Sequence, residues 1–320
     1  MKADNPAIVD EAAMRIGLMI EGQWGLTWAR WAHLLELAET LGFDCVFRSD
    51  HYTIGPPDED SLETFISLTY AADHTRRIEF GPLVAPTTFR QPILTARMAA
   101  QIDDLSGGRF VLGLGTGWHE REHFQYGIPF YDLPTRYQML EDALEITTRL
   151  YTTEGPVSYS GARFSLNGAV LLPRPARKGG PPILIGGNGM KKTLPLAARY
   201  AREWNGVHLN VSDYRQRMAR MDELLDAIGR PRSAVKRSMM TQCILGRNDA
   251  DLKDKLGVMP DAPDKLLDWN RVAGTPSQVV EHIGRFADTG MERIMLMWRD
   301  QDDIAGLELL ANSVLPHFHK

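Results

Sequence analysis

A (β/α)8 barrel is the fold this sequence predicts, and three observations predict it. Short runs rich in Val, Ile and Leu alternate with longer amphipathic stretches along most of the chain. Eight such runs can be read, and most are continuously apolar, as parallel strands buried on both faces are. The 320 residues hold eight βα units, which need about 250, with room for insertions. A doubly wound parallel sheet is the competing arrangement.

In chain order the expected strands are 15–20 (RIGLMI), 43–47 (FDCVF), 78–84 (IEFGPLV) and 110–114 (FVLGL), then 183–185, 206–209, 238–245 and 293–297. Helical periodicity fills the intervals at 27–41, 62–74, 93–105, 136–151, 194–202, 214–228 and 277–288. Two stretches break the rhythm. Residues 151–182 are rich in proline and glycine and read as an insertion after the fourth unit, and 256–270 is irregular. Long barrel loops usually cover the active site or cap an end. With no linker in between, residues 14–320 read as one domain preceded by a tail, 1–13.

Composition narrows the function. Lys and Arg number 36 against 41 Asp and Glu, a net charge of −5, whereas nucleic-acid proteins gather a basic excess. No apolar run approaches the roughly 18–20 residues that span a bilayer. The first fourteen residues carry four charges and no apolar core, unlike a signal peptide. Cys45 and Cys243 make neither a disulfide framework nor a metal quartet. A soluble, cytoplasmic, reduced protein is expected, acting on a small molecule rather than on nucleic acid or membrane.

Chemistry gathers at the carboxyl ends of the expected strands, where barrel enzymes place it. The second strand ends in Arg48-Ser49-Asp50-His51-Tyr52. Neighbouring side chains on a strand diverge, so Ser49, Asp50 and His51 form no triad, and Asp50 could simply cap the next helix. Residues 81–92 (GPLVAPTTFRQP) carry three prolines and suggest a bulged strand end. The fourth strand enters Gly113-Leu114-Gly115-Thr116-Gly117-Trp118, whose alternate glycines could let a flat ligand approach the backbone. His119-Glu120-Arg121-Glu122-His123 then matches the H-E-x-x-H zinc pattern, although Gly127 and Pro129 soon end any helix and no third ligand is evident. The fifth strand ends in Gly186-Gly187-Asn188-Gly189-Met190-Lys191-Lys192-Thr193. This loop misses the Walker pattern but offers free N–H groups and two lysines to a phosphate at a helix start. Trp24, Tyr52, Phe89 and Trp118 fall near strand ends and could form an aromatic pocket.

The order of RIGLMI, GFDCVFRSDHY, IEFGPLVAPTTFRQPILTARMAAQIDDLSGGRFVLGLGTGW and PPILIGGNG…AARYAREWNGV resembles the bacterial luciferase-like flavin and deazaflavin oxidoreductases. DDLSGGRFVLGLGTGW is the most specific segment, and the likeness runs from Arg15 onward. It is strongest to the branch using the 5-deazaflavin coenzyme F420, and the FMN monooxygenase branch shares much of the pattern. The resemblance implies a TIM barrel, commonly a homodimer, with the ring at the carboxyl ends of the strands. It puts Asp50 and His51 beside ring and substrate, with His51 as the catalytic residue. Leu83, with Pro82 or Val84, forms a bulge behind the ring, often with a cis non-prolyl peptide. Thr116 and Gly117 border the ring, and Gly186, Gly187, Asn188 and Gly189 cradle the phosphate. Trp24, Tyr52 and Trp118, by their own places near strand ends, are the expected substrate pocket. The sugar-phosphate dehydrogenases of the family have a glutamate at Trp118 and a tryptophan at Gly55, so glucose 6-phosphate is not the expected substrate. The expected activity is hydride transfer between F420 and a small organic molecule. The alternatives are an FMN monooxygenase, a zinc hydrolase built on His119, Glu120 and His123, and a carrier that binds the deazaflavin without turnover.

Overall fold

The computed structural model describes residues 14–257 and 270–319. The 1–13 tail and nearly all of the irregular stretch 256–270 lie outside the described residues. The wall strands are β1 (Arg15–Ile20), β2 (Cys45–Arg48), β3 (Glu79–Pro82), β4 (Ala85–Pro86), β5 (Leu112–Gly115), β8 (Ile183–Gly186), β9 (Glu203–Val207), β10 (Lys236–Leu245) and β12 (Arg293–Met297). They pair in parallel in the order β3-β2-β1-β12-β10-β9-β8-β5-β4, and β11 (Val272–Gly274) joins β10 off this path. A parallel bridge between Phe80 and Phe110 brings the two ends together. A doubly wound sheet would keep two free edges; here the ends meet, and the wall is a nearly closed barrel.

Helices alternate with the strands outside the wall: α1 (Trp28–Leu41), α2 (Thr64–His74), α3 (Pro92–Leu105), α4 (Glu120–Gln125), α5 (Leu133–Thr152), α6 (Thr193–Tyr200), α7 (Val211–Ala227), α8 (Asp249–Gly257), α9 (Pro276–Ala287) and α10 (Ile304–Ser313). Among the described residues no helix is long and apolar enough to cross a membrane. Met19, Cys45, Phe47, Val111, Leu184, Met240 and Met295 fill the barrel interior. Beneath them the buried Arg293 pairs with Glu203 at 3.1 Å, Asp44 at 2.9 Å and Glu79. That ion cluster explains why β9 begins at Glu203 and not at the first apolar residue of the expected 206–209. Strand alternation turns a charge inward there, and Arg293 neutralises it.

The insertion differs from expectation. Within 151–182 a hairpin forms, β6 (Val157–Ser160) with β7 (Ser165–Ala169), and its apolar side joins Ala96, Ala100, Ile146 and Leu150 of α3 and α5. The buried Asp142 holds the hairpin turn, accepting the N–H groups of Arg163 at 2.6 Å and Phe164 at 2.9 Å. The insertion therefore braces the outer helices and does not roof the carboxyl end of the barrel. The third strand is broken as the prolines suggested: β3 ends at Pro82, the Leu83–Val84 peptide is cis, and β4 resumes at Ala85.

Candidate active site

A cavity of about 530 Å³ opens at the carboxyl ends of the strands. Of the residues singled out in the sequence it brings together Trp24, Asp50, His51, Leu83, Val84, Thr116, Gly117, Trp118, Gly186 and Gly187. Tyr52, Pro82, Asn188 and Gly189 are not in its wall. The Tyr52 ring stacks between Phe89 and Tyr126, with centroids 4.9 and 4.7 Å away.

His51 is the best-defined polar group of the wall. Its Nδ1 lies 2.7 Å from Glu122 Oε1, and Glu122 Oε2 accepts the Tyr52 N–H at 3.0 Å. Both carboxylate oxygens of this buried glutamate are thus committed, which fixes the imidazole and leaves Nε2 for the cavity. Burial works against the imidazolium, but the hydrogen bond and charge of Glu122, with smaller help from Glu21 and Asp50, raise the His51 pKa. Glu122→Gln is therefore expected to move the His51 titration to lower pH, because burial then dominates. Imidazole NMR over about pH 5 to 9 checks it, and an unmoved midpoint would remove Glu122 from this role.

Asp50 does not stand free beside a ligand. It forms a two-pronged ion pair with Arg90 (Nη2 to Oδ1 3.1 Å), and Arg90 also grips Glu63, the residue capping α2, at 2.6 Å. This pair ties the end of β2 to the loop after the bulge. His51 is thereby held at a fixed height in the wall.

In the Gly113-Leu114-Gly115-Thr116-Gly117 motif, Gly115, Thr116 and Gly117 line the cavity, and the glycines also serve packing. A Cβ on Gly113 would collide with the Pro82 carbonyl, and one on Gly115 would come within 2.5 Å of Val84 Cγ2. A Cβ on Gly186 would sit 3.0 Å from Val84 Cγ1. These positions make room for the bulge, and Val84 then presents itself to the cavity. The zinc alternative meets a geometric obstacle in the same region. His123 bonds Thr88 Oγ1 through Nε2 and the His119 carbonyl through Nδ1, each at 2.7 Å, and Glu122 is spent on His51. Hence His123, one of the two histidines that the hydrolase reading needs, is already bonded at both ring nitrogens.

The loop leading into α6 keeps its expected anion character but redistributes the roles. Gly187 gives its N–H to Asn205 O at 2.9 Å, and its carbonyl accepts Trp204 Nε1–H. Asn188 braces the loop with its side chain, donating to Val207 O at 2.7 Å and accepting Val207 N–H at 2.9 Å. The N–H groups of residues 188–192 have no partner among the described residues, and they run directly into the positive end of α6.

Sequence reasoning missed several wall residues. Glu21 and Gln23 follow β1, Asn205 and His208 belong to β9 and its end, and Met240 and Met297 form the floor. None sits in a glycine- or proline-marked motif. Asn205 carries the clearest signal: Ser238 Oγ donates to Trp204 O, so it accepts from Asn205 Nδ2 at 2.9 Å, which leaves the buried Oδ1 without a partner.

The family model described as luciferase-like monooxygenase matches residues 14–260. The chain is 28% identical over 310 residues to the 5,10-methylenetetrahydromethanopterin reductase of Archaeoglobus fulgidus, spanning 82% of this chain and 87% of that protein. It is 27% identical to the 4-hydroxyprotoasukamycin monooxygenase of Streptomyces nodosus subsp. asukaensis over 332 residues, 89% of this chain and 86% of that one. Its fold superposes with a TM-score of 0.84 on an F420-dependent secondary alcohol dehydrogenase in complex with an F420-acetone adduct, at 19% identity, over 96% of this chain and 100% of the other. The match over residues 14–260, on a barrel with this bulge and this cavity, means that the chain is an enzyme of the luciferase-like monooxygenase family.

Proposed function

We propose that the protein is a coenzyme F420-dependent oxidoreductase passing a hydride between the deazaflavin and a small, planar organic substrate. The observation that carries this reading is His51, fixed by Glu122 in the wall of a cavity that also contains Gly186 and Gly187, the residues leading into a loop of unspent N–H groups. Several features fit a tricyclic cofactor. Val84 offers a flat apolar wall, the orphaned Asn205 Oδ1 calls for a ring donor, and residues 188–192 offer a phosphate several N–H groups. When bound, the deazaflavin supplies a two-electron hydride donor or acceptor.

The chain's own work is positional and acid–base. The Leu83–Val84 bulge supports one face of the site, and Trp24 and Ile54 add apolar surface to its wall. His51, whose imidazolium form Glu122 favours against burial, gives a proton from Nε2 to the substrate atom that gains charge on reduction. In the oxidative direction the same Nε2 accepts it. The setting is a cytoplasmic homodimer.

Titrating the cofactor-free protein with F420 and with FMN, followed by fluorescence, tests the assignment. Tighter binding of the deazaflavin is expected. Submicromolar FMN binding without any deazaflavin response would overturn it in favour of a flavin monooxygenase.

A further inference from the structure

Glu21 is a cavity carboxylate that makes no direct ion pair among the described residues. Only 8% of its surface is exposed, and it lines the cavity just past the end of β1. Its orientation follows from a chain of hydrogen bonds. Ser49 Oγ accepts the Gly22 N–H at 2.9 Å, so its own proton goes to Gln23 Oε1 at 2.7 Å. The Gln23 amide is thereby oriented, and its Nε2 donates to Glu21 Oε2 at 2.6 Å. Gln301 fixes the backbone beneath by donating to the Glu21 carbonyl at 3.1 Å. Oε1 is left without a protein partner among the described residues.

The other wall charges are balanced. Asp50 is matched by Arg90, and Glu122 by His51. Arg48 lies close behind Glu21 and its charge acts on it through space, but its N–H groups go to Ser49 O, Ser67 Oγ and Leu62 O, none of them to Glu21. Arg299 stacks over Trp24 at 5.0 Å and is outside the wall. Among the described residues the wall contains no lysine or arginine. His208, the remaining titratable group there, is held toward its neutral form by burial. Glu21 is thus the one wall carboxylate with no direct ion pair among the described residues. Arg48 offsets its charge only through space, and Oε1 stays open to a ligand in the largely apolar cavity.

We propose that Glu21 selects the substrate: its free oxygen accepts an O–H or N–H donor of an uncharged planar compound and repels carboxylate- or phosphate-bearing ones. This rests on reading the cavity as the hydride-transfer site. A hydrogen bond to a carboxylate is about twice as strong as a neutral one, while two like charges in such an enclosure repel strongly. Selectivity of about tenfold or more between matched neutral and anionic compounds follows.

Three probes isolate the effect: 3-hydroxybenzaldehyde, 3-methoxybenzaldehyde and 3-carboxybenzaldehyde, which share a ring and a carbonyl and differ in one substituent. Their binding is measured by calorimetry to the cofactor-free protein and to the protein saturated with oxidised F420. Wild type is expected to bind the hydroxy compound at least about tenfold more tightly than the carboxy compound, with the methoxy compound between. Glu21→Gln should bring hydroxy and carboxy to within about threefold of each other, at an unchanged melting temperature. Glu21→Ala, which keeps no hydrogen-bonding group, should narrow the same ratio if the glutamine variant misfolds. Equal binding of the neutral and anionic probes by wild type, an unchanged ratio in a folded variant, or no binding of any probe would each overturn the proposal. Because the cofactor-free arm needs no F420, it reads Glu21 even if the cofactor titration fails, so the two failures are distinguishable.

Discussion

His51→Ala is expected to lower turnover by about 10²–10⁴-fold while leaving cofactor affinity unchanged, the usual span of a lost general acid. The imidazole is not a generic surface histidine: Nδ1 is locked to Glu122 at 2.7 Å, Nε2 is the only ring nitrogen left for a substrate, and the pKa is raised. An ionised donor that is already oriented needs no reorganisation when charge develops. The sign of the pH dependence follows. Activity in the reductive direction should fall as pH rises through the His51 pKa, and in Glu122→Gln that fall should come at lower pH. The same ionised group contributes stability below about pH 6.5, lost as pH rises through the folded value. Asp50→Ala makes an informative contrast, because Asp50 spends its carboxylate on Arg90. Its loss should reduce stability or cofactor affinity, with less effect on the chemical step. Steady-state kinetics with any acceptor that wild type reduces provides the measurement. If His51→Ala keeps more than a third of wild-type turnover, the proton comes from water and His51 only packs.

The barrel was legible because its strands are buried on both faces and therefore read as unbroken apolar runs. β1 and β12 begin and end where the residues alone indicate, at Arg15–Ile20 and Arg293–Met297. β9 was misplaced because its buried Glu203 looks like a solvent residue until Arg293, 90 positions away, is brought beneath it. The hairpin in the insertion escaped for a related reason: its turn is held by Asp142 of α5, a contact no local pattern encodes.

At the site, motifs marked by glycine and proline were visible as motifs but not always as mechanisms. The glycines of the fourth unit looked like a ligand face, and Gly115 and Gly117 do line the cavity. Gly113 and Gly115 also accommodate the bulge of the third unit, so the two motifs are halves of one packing solution. The H-E-x-x-H match misled because four-residue spacing places two histidines on one helical face whatever binds them. Here Thr88 and a backbone carbonyl take His123, and Glu122, between the two histidines, serves His51. Glu21 was silent because a single carboxylate after a strand has no sequence signature. Its meaning comes from the oxygen that no protein group among the described residues bonds.

Gly187→Val is expected to weaken cofactor binding by more than a hundredfold without unfolding the protein. Gly187 has a φ of +124°, a conformation that a β-branched residue resists, even though the space beside it is adequate, with Thr193 3.5 Å from a built Cβ. A valine must therefore rotate the backbone, and that rotation breaks the bonds from Gly187 N–H to Asn205 O and from Trp204 Nε1–H to Gly187 O. The next five residues, whose N–H groups are unspent ahead of α6, then swing out of register with an incoming phosphate. Losing two hydrogen bonds to a charged group, at about 1.5–3 kcal/mol each, exceeds the 2.7 kcal/mol or so that a hundredfold change requires. Gly168→Val serves as the control, because Gly168 also has a positive φ, +61°, but lies in the insertion hairpin away from the cavity. It should lower stability by a smaller backbone strain of the same kind and leave affinity intact. Equilibrium binding of F420 with thermal denaturation on both variants decides the matter. Normal affinity in a folded Gly187→Val protein would mean that the phosphate is held somewhere other than the loop before α6.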